Sequence, residues 1–500
     1  MKFGLKTVGV LLVSVMLLTA FVSYRVWSNP GFSGRDIYLD DLPSVAQYVI
    51  NTDGTYVWAT RYDGDITYSG SDAATVIQSA LDALTSGRTW KERIVLKGSF
   101  DLNKKNITIP SYTIVDGLGC KLQPEDGLVY DVDWAFFNNS ASAHDIEVRN
   151  IIFDENYAGS PDEWAWFLDF SGVANLTVSN CVFKSPQLNY AVDLDGDDVF
   201  FENNRLYGAF NVRLGDSTDS SKTAYVKNNY FEDCRVYLRR MSVFDSNELY
   251  DLARVCAYGD KTQITNNHVL IPYSTTGITI FSIDGADYAK ISDNFVLSDN
   301  THIGIVGMAN YPKNLGISNN FFHGGSTIIQ TTSNCHNVTI YGNIIENATK
   351  GMILYDYVDN AWIEGNIIRN NDYGIYIVAG TKTWTITNNK LYGNTDDIYW
   401  DDLLGTVIFR RNFGFVTENS GNATIASGET IAHGIDSSLH IGQGNSTVLV
   451  TPYTTVYDSV PVVVGCNATD STNITITAYW VNGTEISDDA IDIWYYVESR

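Results

Sequence analysis

The chain is poor in the residues that cross-link or kink a fold. Its 500 residues include 6 cysteines, 10 prolines and 5 methionines. The cysteines are widely spaced and include no Cys-x-x-Cys pair: Cys120, Cys181, Cys234, Cys256, Cys335 and Cys466. This spacing excludes a zinc ribbon and a thioredoxin-type motif. We expect most of these thiols to be scattered and buried, because a fold with a long core does not depend on disulfides.

Basic residues are also scarce. Lysine and arginine total 32 against 58 acidic residues, which gives a net charge of −26. Such a surface repels phosphates, so we exclude nucleic acid as a partner. It also repels anionic polysaccharides unless a divalent cation or a local basic patch intervenes. The 44% of hydrophobic residues provide enough apolar side chains for a large core, which excludes a disordered chain.

One long hydrophobic run is present, at the N-terminus. Lys2 and Lys6 precede an apolar stretch over residues 8–22, an order typical of a signal-anchor or a secretory signal peptide. We expect an uncleaved anchor in the cell's own membrane, with residues 30–500 at the cell surface; a cleaved signal peptide is the alternative. Sequons for N-glycosylation agree with export. They lie at Asn106, Asn138, Asn175, Asn337, Asn347, Asn422, Asn445, Asn467, Asn473 and Asn482.

An internal repeat dominates the middle of the chain. The pattern apolar-x-x-Asn-x-apolar recurs at Asn204, Asn229, Asn247, Asn267, Asn294, Asn320, Asn343, Asn366 and Asn389. Imperfect matches occur at Asn150, Asn180 and Asn412. The asparagines at 320, 343, 366, 389 and 412 are each 23 residues apart. A period of this length is the mark of a solenoid.

The repeat unit is made of strands. It is rich in Ile, Val, Phe, Tyr and Thr, and it lacks the framework and the helical half of a leucine-rich repeat. In each unit two alternating strands flank a bend at the asparagine, which tolerates a left-handed backbone. Asparagines at one phase can also hydrogen-bond along the axis. We therefore predict a parallel β-helix of about 12 coils, stacked about 4.8 Å apart.

The start of the solenoid carries a cap. Apolar residues at helical spacing follow Asp72 and end before Gly87, which predicts a helix. A strand over residues 94–96 and a Gly-x-Gly turn at Gly117 and Gly119 come next. Here the chain resembles the pectin-lyase-like right-handed β-helix superfamily, over about residues 70–413. That superfamily includes lyases, hydrolases, epimerases, adhesins and viral spikes, so the fold does not choose a function.

The C-terminal part has a different composition. Residues 414–426 predict a linker, and five strand candidates between 427 and 500 predict a small β-sandwich. This tail resembles a β-module appended to surface and fibre-tip proteins of microbes and their viruses. The resulting division is 1–30 anchor or signal, 31–70 extension, 71–413 β-helix, 414–426 linker and 427–500 sandwich. We expect any oligomer to form through the sandwich.

Charge is concentrated between residues 190 and 258. Six of the sixteen arginines fall within fifty residues, at positions 205, 213, 235, 239, 240 and 254. If Val192 and Leu194 point inward, strand alternation turns Asp193 and Asp195 outward. The same alternation predicts outward side chains on the next coils at Arg213, Tyr237 and Arg239. The plain alternative is that these charges form paired or solvated ladders.

The family resemblance implies two chemistries for this surface. In the superfamily's lyases, clustered carboxylates hold calcium and an arginine or lysine removes the α-proton of a uronate. By that resemblance Asp193, Asp195 and Asp216 are the calcium ligands and Arg239 is the base. Alternatively Asp193 and Asp216 on adjacent coils, about 5 Å apart, act as the pair of a retaining glycosidase. The ordered motifs of polygalacturonases are absent, which argues against hydrolysis of that polymer.

Sugar binding without catalysis is the leading prediction. The predicted substrate contacts are Arg213, Tyr237, Arg240 and Tyr258. A line of outward aromatics, Tyr258, Phe281, Tyr355 and Tyr376, provides an alternative platform. We expect a cell-surface β-helix that binds carbohydrate or mediates adhesion or assembly. The alternatives are a calcium-dependent polysaccharide lyase, a glycoside hydrolase and a purely architectural rod.

Overall fold

The computed structural model describes most of the chain from residue 46 onward. The described ranges are 46–103, 105–125, 134–155, 165–185, 190–208, 211–215, 223–272, 278–299, 304–331, 335–355, 358–378, 383–400, 406–413, 418–425, 430–432, 446–452, 456–457, 460–468, 473–480 and 491–499.

The N-terminal end is an antiparallel meander that joins the solenoid. The elements are β1 (Ala46–Thr52), β2 (Val57–Arg61), β3 (Ile66–Gly70), α1 (Ala73–Asp82), β4 (Glu92–Lys97), β5 (Ser99–Leu102), β6 (Ile107–Ile109), β7 (Thr113–Pro124), β8 (Trp134–Asn139) and β9 (His144–Asp154). Strand β1 pairs antiparallel with β2 and parallel with β4, so part of the predicted extension already belongs to the sheet.

The capping helix is confirmed. Asp72 is the N-cap of α1, and its carboxylate accepts a hydrogen bond from the backbone N–H of Thr75. This bond satisfies one of the N–H groups that a helix start leaves without a partner. Ala73, Ile77 and Leu81 are buried on one face of α1. The helix thereby covers apolar surface that would otherwise be exposed at the end of the stack.

The solenoid itself is a succession of short strands. They are β10 (Ala165–Ser179), β11 (Val182–Lys184), β12 (Tyr190–Glu202), β13 (Arg205–Tyr207), β14 (Asn211–Leu214), β15 (Ala224–Lys227), β16 (Tyr230–Glu232), β17 (Arg235–Leu238), β18 (Ser242–Asp245), β19 (Glu248–Tyr250), β20 (Arg254–Ala257), β21 (Gln263–Thr265), β22 (His268–Ile271), β23 (Thr279–Asp284), β24 (Lys290–Ser292), β25 (Phe295–Ser298), β26 (Gly304–Ala309), β27 (Gly316–Ser318), β28 (Phe321–Gly324), β29 (Thr327–Thr331), β30 (His336–Tyr341), β31 (Ile344–Glu346), β32 (Lys350–Leu354), β33 (Asp359–Glu364), β34 (Ile367–Arg369), β35 (Tyr373–Ile377), β36 (Thr383–Thr387), β37 (Lys390–Tyr392), β38 (Asp396–Trp400) and β39 (Thr406–Arg410).

Each turn contributes strands to three parallel faces. Sheet 1 contains β8, β10, β12, β14, β17, β20, β23, β26, β29, β32, β35 and β38. Sheet 2 contains β9, the ends of β10 and β12, then β15, β18, β21, β24, β27, β30, β33, β36 and β39. Sheet 3 contains β11, β13, β16, β19, β22, β25, β28, β31, β34 and β37. The prediction of an all-β parallel solenoid is confirmed, with about 11 turns and a 23-residue period.

The core lies inside this three-sided coil. In β30, Val338 and Ile340 are buried while Thr339 and Tyr341 are exposed, as the alternation of side chains along a strand requires. Parallel pairing repeats this pattern on each turn, so the inward residues of successive turns pack on one another. Sheet 1 departs from strict alternation in β23, where Ile280 and Phe281 are both buried.

A ladder of buried asparagines runs along the corner between sheets 2 and 3. Its members are Asn204, Asn229, Asn247, Asn267, Asn294, Asn320, Asn343, Asn366, Asn389 and Asn412. The Asn343 amide nitrogen donates to Oδ1 of Asn366 and to the carbonyl of Ile317, both at 2.9 Å. Its Oδ1 accepts from the backbone and side-chain nitrogens of Asn320, at 3.0 and 2.9 Å. The predicted ladder is confirmed.

The left-handed residue at this corner is a different one from that expected. The backbone turns at the residue before each ladder asparagine; for example, φ is 57° at Asn319 and 58° at Asn388. The ladder asparagine has to aim its amide along the axis, so the preceding residue makes the turn. Asn150 and Asn180, with φ of 58° and 54°, are left-handed residues and not ladder members.

The C-terminal tail forms two antiparallel sheets. Its strands are β40 (Glu418–Ile425), β41 (Thr430–Ala432), β42 (Ser446–Pro452), β43 (Val456–Tyr457), β44 (Val460–Ala468), β45 (Asn473–Trp480) and β46 (Ile491–Ser499). One sheet has the order β40-β46-β42 and the other β41-β45-β44-β43. Strand β40 occupies much of the predicted linker because its backbone pairs with β46 along its whole length, despite its few apolar side chains.

The predicted membrane location is corrected. Within the residues that the structure describes, no helix is long and apolar enough to cross a membrane. The apolar run at residues 8–22, from which an anchor was inferred, lies outside the described part.

The cysteines whose side chains are described are all free thiols, as expected for scattered buried residues.

Candidate functional site

The charged surface lies on the outward side of sheet 1. Asp193 in β12 is in register with Arg213 in β14, and Arg213 is in register with Tyr237 in β17. The column continues to Cys256 in β20. Val192 and Leu194 are fully buried, so the predicted outward direction of Asp193 is correct. Side chains from separate turns thus meet on one surface.

Asp193 lies between two guanidinium groups. Its Oδ2 is 3.5 Å from Nη1 of Arg213, and its Oδ1 is 3.9 Å from Nη1 of Arg239. Oδ1 is buried and accepts no hydrogen bond within the described structure. Burial, opposed by Arg239 and Arg213 and assisted by Asp169, raises the pKa of Asp193 to about 6. The two ion pairs therefore do not fully compensate the desolvation of this carboxylate.

A second carboxylate lies one turn before Asp193. Asp169 in β10 is in direct register with it. Neighbouring strands are about 4.8 Å apart, so the two acids occupy adjacent positions on the surface. The sequence analysis missed Asp169. The signal was present, because Asp169 lies between the apolar residues Leu168 and Phe170 as Asp193 lies between Val192 and Leu194.

Arg240 is placed differently from the prediction. Its side chain is only 2% exposed, and it donates from Nη1 to the carbonyl of Gly196 at 2.7 Å. Asp195 and Asp197 approach its guanidinium at 3.8 and 3.6 Å. Because Arg240 is enclosed, we correct its predicted role: it supports the wall of the site and is not a substrate contact.

Two glycines make room for Arg240. A Cβ atom at Gly215 would lie 2.3 Å from Cγ of Arg240, and one at Gly259 would lie 2.0 Å from its backbone carbonyl. No side chain fits at such distances. Glycines on the turns before and after Arg240 therefore leave the space that this residue occupies, which is typical of a structural side chain.

Arg235 and Arg254 are two further basic residues on the outward side of sheet 1. They are in register on adjacent turns. Among the described residues, no carboxylate lies within ion-pair distance of either guanidinium. Both were counted in the basic stretch but neither was selected as a site residue. The matching strands Arg-Val-Tyr-Leu and Arg-Val-Cys-Ala, at 235–238 and 254–257, carry the signal that could have found them.

Aromatic rings border Arg235 and Arg213. Arg235 donates from Nη1 to the hydroxyl of Tyr237 at 2.7 Å, and its guanidinium lies 5.7 Å from the centre of that ring. Tyr237 stacks on Tyr258 with ring centres 6.2 Å apart and an angle of 20°. Tyr258 is 44% exposed. On the other side, the Arg213 guanidinium lies 5.9 Å from the ring of Trp166.

The predicted aromatic line is only partly formed. Phe281 is fully buried and points into the core. Tyr376 is in register with Tyr399 on the last turns of sheet 1, and their rings stack at 4.9 Å. This aromatic pair is separated from Tyr258 by several turns with small residues, among them Ser282 and Gly307.

Comparison with known proteins identifies the fold. A family described as "Right handed beta helix region" matches residues 253–431. The solenoid is a right-handed β-helix. This fold agrees with the sequence resemblance to the pectin-lyase-like superfamily. No curated protein matches the chain in sequence.

Solved β-helix structures share this fold at low sequence identity. The tailspike protein of Escherichia coli bacteriophage HK620, in complex with a pentasaccharide, has a TM-score of 0.51 and 10% identity, covering 88% of this chain and 92% of the tailspike. The A-module of mannuronan C-5 epimerase AlgE6 of Azotobacter vinelandii has a TM-score of 0.41 and 15% identity, with 68% and 95% coverage. The surface adhesin PfbA of Streptococcus pneumoniae has a TM-score of 0.35 and 11% identity, with 68% and 90% coverage.

Calcium binding stays a prediction for the described residues of the β-helix. They contain no group of three or more His, Cys, Asp or Glu side chains that could hold a metal ion. Asp193 and Asp195, two of the predicted ligands, face guanidinium groups that already supply positive charge. The third, Asp216, lies outside the described residues. We therefore derive no chemical step through a metal.

Proposed function

We propose that this β-helix binds an acidic polysaccharide on the outward surface of sheet 1. The observation that carries the proposal is the pair Arg235 and Arg254, in register and without a carboxylate partner among the described residues. Two like charges on adjacent strands repel each other. A carboxylate bound between them removes this repulsion and gains charge-assisted hydrogen bonds.

The surroundings of the arginine pair suit a sugar ring. Tyr237 holds the Arg235 guanidinium through its hydroxyl, which reduces the freedom that the guanidinium loses on binding. Tyr258 presents an exposed aromatic ring beside it. An aromatic ring provides apolar contact for one face of a sugar, while the arginines bind its carboxylate. Support at the level of the fold comes from the HK620 tailspike, whose structure contains a bound oligosaccharide.

A second candidate function, chemical modification of the bound glycan, is favoured by the pair Asp169 and Asp193. The raised pKa of Asp193, about 6, allows this residue to hold a proton near neutral pH. A protonated acid beside a more exposed carboxylate is the arrangement used for acid–base cleavage of glycosidic bonds. In this proposal Asp193 donates a proton to the leaving oxygen and Asp169 acts as the nucleophile or base.

The experiment removes the arginine pair from the full chain. We expect Arg235→Ala/Arg254→Ala to lose most of the retardation of the wild type in native gels containing alginate, a soluble polyuronate. Retardation of the wild type should also weaken as salt rises, because the contact is ionic. The matched control is Lys290→Ala/Lys313→Ala, which removes the same charge from exposed positions elsewhere. Equal retardation of the arginine variant and the wild type would refute the proposal.

Catalysis is tested separately with the same polymer. If the second candidate is correct, the wild type releases new reducing ends from a polyuronate and Asp193→Asn does not, although it is still retarded in the gel. A rise in ultraviolet absorbance, the sign of an unsaturated uronide, would instead indicate elimination. Binding without any product would leave the β-helix as a binding protein.

A further inference from the structure

Two exposed aromatic rings lie on sheet 2, away from the arginine surface. Tyr341 ends β30, and Trp362 lies in β33 on the next turn; they are 50% and 48% exposed. Thr339 is in register with Trp362, and Tyr341 with Glu364, so the rings are diagonal neighbours on one surface. Diagonal neighbours on a sheet are within reach of one another when their side chains are aromatic.

Both rings are held in place. The indole N–H of Trp362 donates to Glu364 at 2.7 Å, and the same carboxylate accepts from the amide of Asn388 at 2.9 Å. The Tyr341 ring lies over Gly365, where an added Cβ would be 3.3 Å from its Cε2 atom. Fixed rings lose little side-chain entropy when they bind a ligand.

The left-handed corner residue changes to glycine on the two turns that carry these rings, although the backbone conformation does not require glycine. Corner residues before the ladder asparagines are left-handed, and on the preceding turns they are Asn, Ser or Asp, as at Asn319. On the two turns that carry Tyr341 and Trp362, the corner residues are Gly342 and Gly365. Asparagine satisfies the same φ elsewhere, so the backbone does not require glycine. At Gly365 the missing side chain leaves space for the Tyr341 ring, and at Gly342 it leaves space for the amide oxygen of Asn319.

The exposed ring of Phe295, on another face, differs in geometry. On sheet 3, Phe295 stacks on His268 and on Phe321 with ring centres 5.2 and 4.9 Å apart. These rings cover one another's faces. Trp362 and Tyr341 have no such ring partner within the described structure, so their faces remain accessible to a ligand.

From this geometry we infer that Tyr341 and Trp362 form a second glycan-binding surface, selective for neutral sugars. The inference rests on the proposed glycan-binding function but uses a different face of the β-helix. The charged side chain between the rings is the carboxylate of Glu364, which repels an acidic sugar. Thr339 and Thr385 lie in register on either side of Trp362 and supply hydroxyl groups for the sugar hydroxyls. Turns are about 4.8 Å apart, close to the length of one sugar unit in an extended chain.

The test uses the full chain and a soluble neutral β-glucan. We expect the wild type to be retarded in native gels containing this polymer, and Trp362→Ala to bind about tenfold more weakly. The matched control is Trp90→Ala, since Trp90 is also 48% exposed and lies at the other end of the solenoid. Addition of the glucan should shift the tryptophan fluorescence of the wild type and of the Trp90 variant, but less that of the Trp362 variant.

A second variant tests the role of the glycine corner. Gly365→Asn introduces the residue that other turns carry at this position, so it is compatible with folding. We expect it to displace the Tyr341 ring and weaken glucan binding by several-fold with little change in melting temperature. Wild-type binding that does not respond to Trp362→Ala, or no binding of the neutral glucan at all, would overturn the inference.

The two glycan proposals fail in different ways. If only the sheet 2 surface binds sugar, alginate retardation is absent while glucan retardation depends on Trp362. If only the arginine surface binds, Arg235→Ala/Arg254→Ala loses alginate and the wild type ignores the glucan. When both are correct, each set of substitutions affects one polymer and leaves the other unchanged.

Discussion

The corner between sheets 2 and 3 and the outward surface of sheet 1 are built from the same stacked turns, but they treat polar groups differently. At the corner, each interior asparagine such as Asn343 has its amide donors and its acceptor satisfied by neighbouring turns. On sheet 1, within the described residues, Asp193 keeps a buried oxygen without a hydrogen bond, and Arg235 and Arg254 have no carboxylate partner. Complete satisfaction stabilises a fold, whereas unsatisfied groups on a surface are available to a ligand.

The largest expected effect comes from Arg240, which follows a strand of sheet 1 but is buried and has protein partners for its polar atoms, as the corner asparagines do. Arg240→Ala should lower the free energy of unfolding by about 3 kcal/mol, because it opens a void, removes the guanidinium that donates to the Gly196 carbonyl and takes a positive charge away from Asp195 and Asp197. Chemical denaturation measures the loss. The control is Arg239→Ala, whose partly exposed ion pair should contribute less than about 1 kcal/mol. Equal losses would show that the two arginines have the same role.

The ladder provides the next largest effect. Asn343→Ala leaves the Ile317 carbonyl and the Asn320 N–H without their partners, and should cost about 2 kcal/mol of unfolding free energy. Its control is Asn388→Gly, which removes an exposed hydrogen bond to Glu364 and keeps the left-handed backbone of the corner without steric strain. Thermal melts of the two variants should differ clearly. A smaller loss for Asn343→Ala than for Asn388→Gly would argue against the ladder as a stabilising element.

The same contrast explains how much the sequence could predict. The ladder was predictable because one residue type, placed every 23 residues, has one geometric use in a stack of parallel strands. The identity of the left-handed residue was not, because Asn-Asn pairs such as Asn388 and Asn389 contain two candidates for one turn. Pairing distinguishes them: Asn389 donates to Asn412 inside the corner, and Asn388 donates to Glu364 outside it.

The sequence predicted which side chains of the site point outward, but not how deeply each of them is buried. Alternation correctly turned Asp193 and Arg213 outward, because burial of Val192 and Leu194 fixes the phase of the strand. It could not reveal that Arg240, just after β17, folds back under the surface, since that depends on the space left by Gly215 and Gly259 two turns apart in the stack. Space that is left by glycines far apart in the sequence cannot be recognised from a local sequence pattern.

The smallest expected effect concerns the pH dependence contributed by Asp193. Burial raises the folded-state pKa of this carboxyl from its ordinary 3.8 to about 6. The folded protein therefore holds the proton more tightly than the unfolded chain, and stability decreases as pH rises from about 4 to about 6. Asp193→Asn removes the ionisable group, so near pH 7 the variant should be about 1 kcal/mol more stable than the wild type, and near pH 3 the two should be alike. Denaturation curves at both pH values measure the difference. If the variant is less stable at pH 7, the ion pairs with Arg213 and Arg239 outweigh the desolvation of Asp193, and this carboxylate belongs with the satisfied groups of the corner and not with the groups available to a ligand.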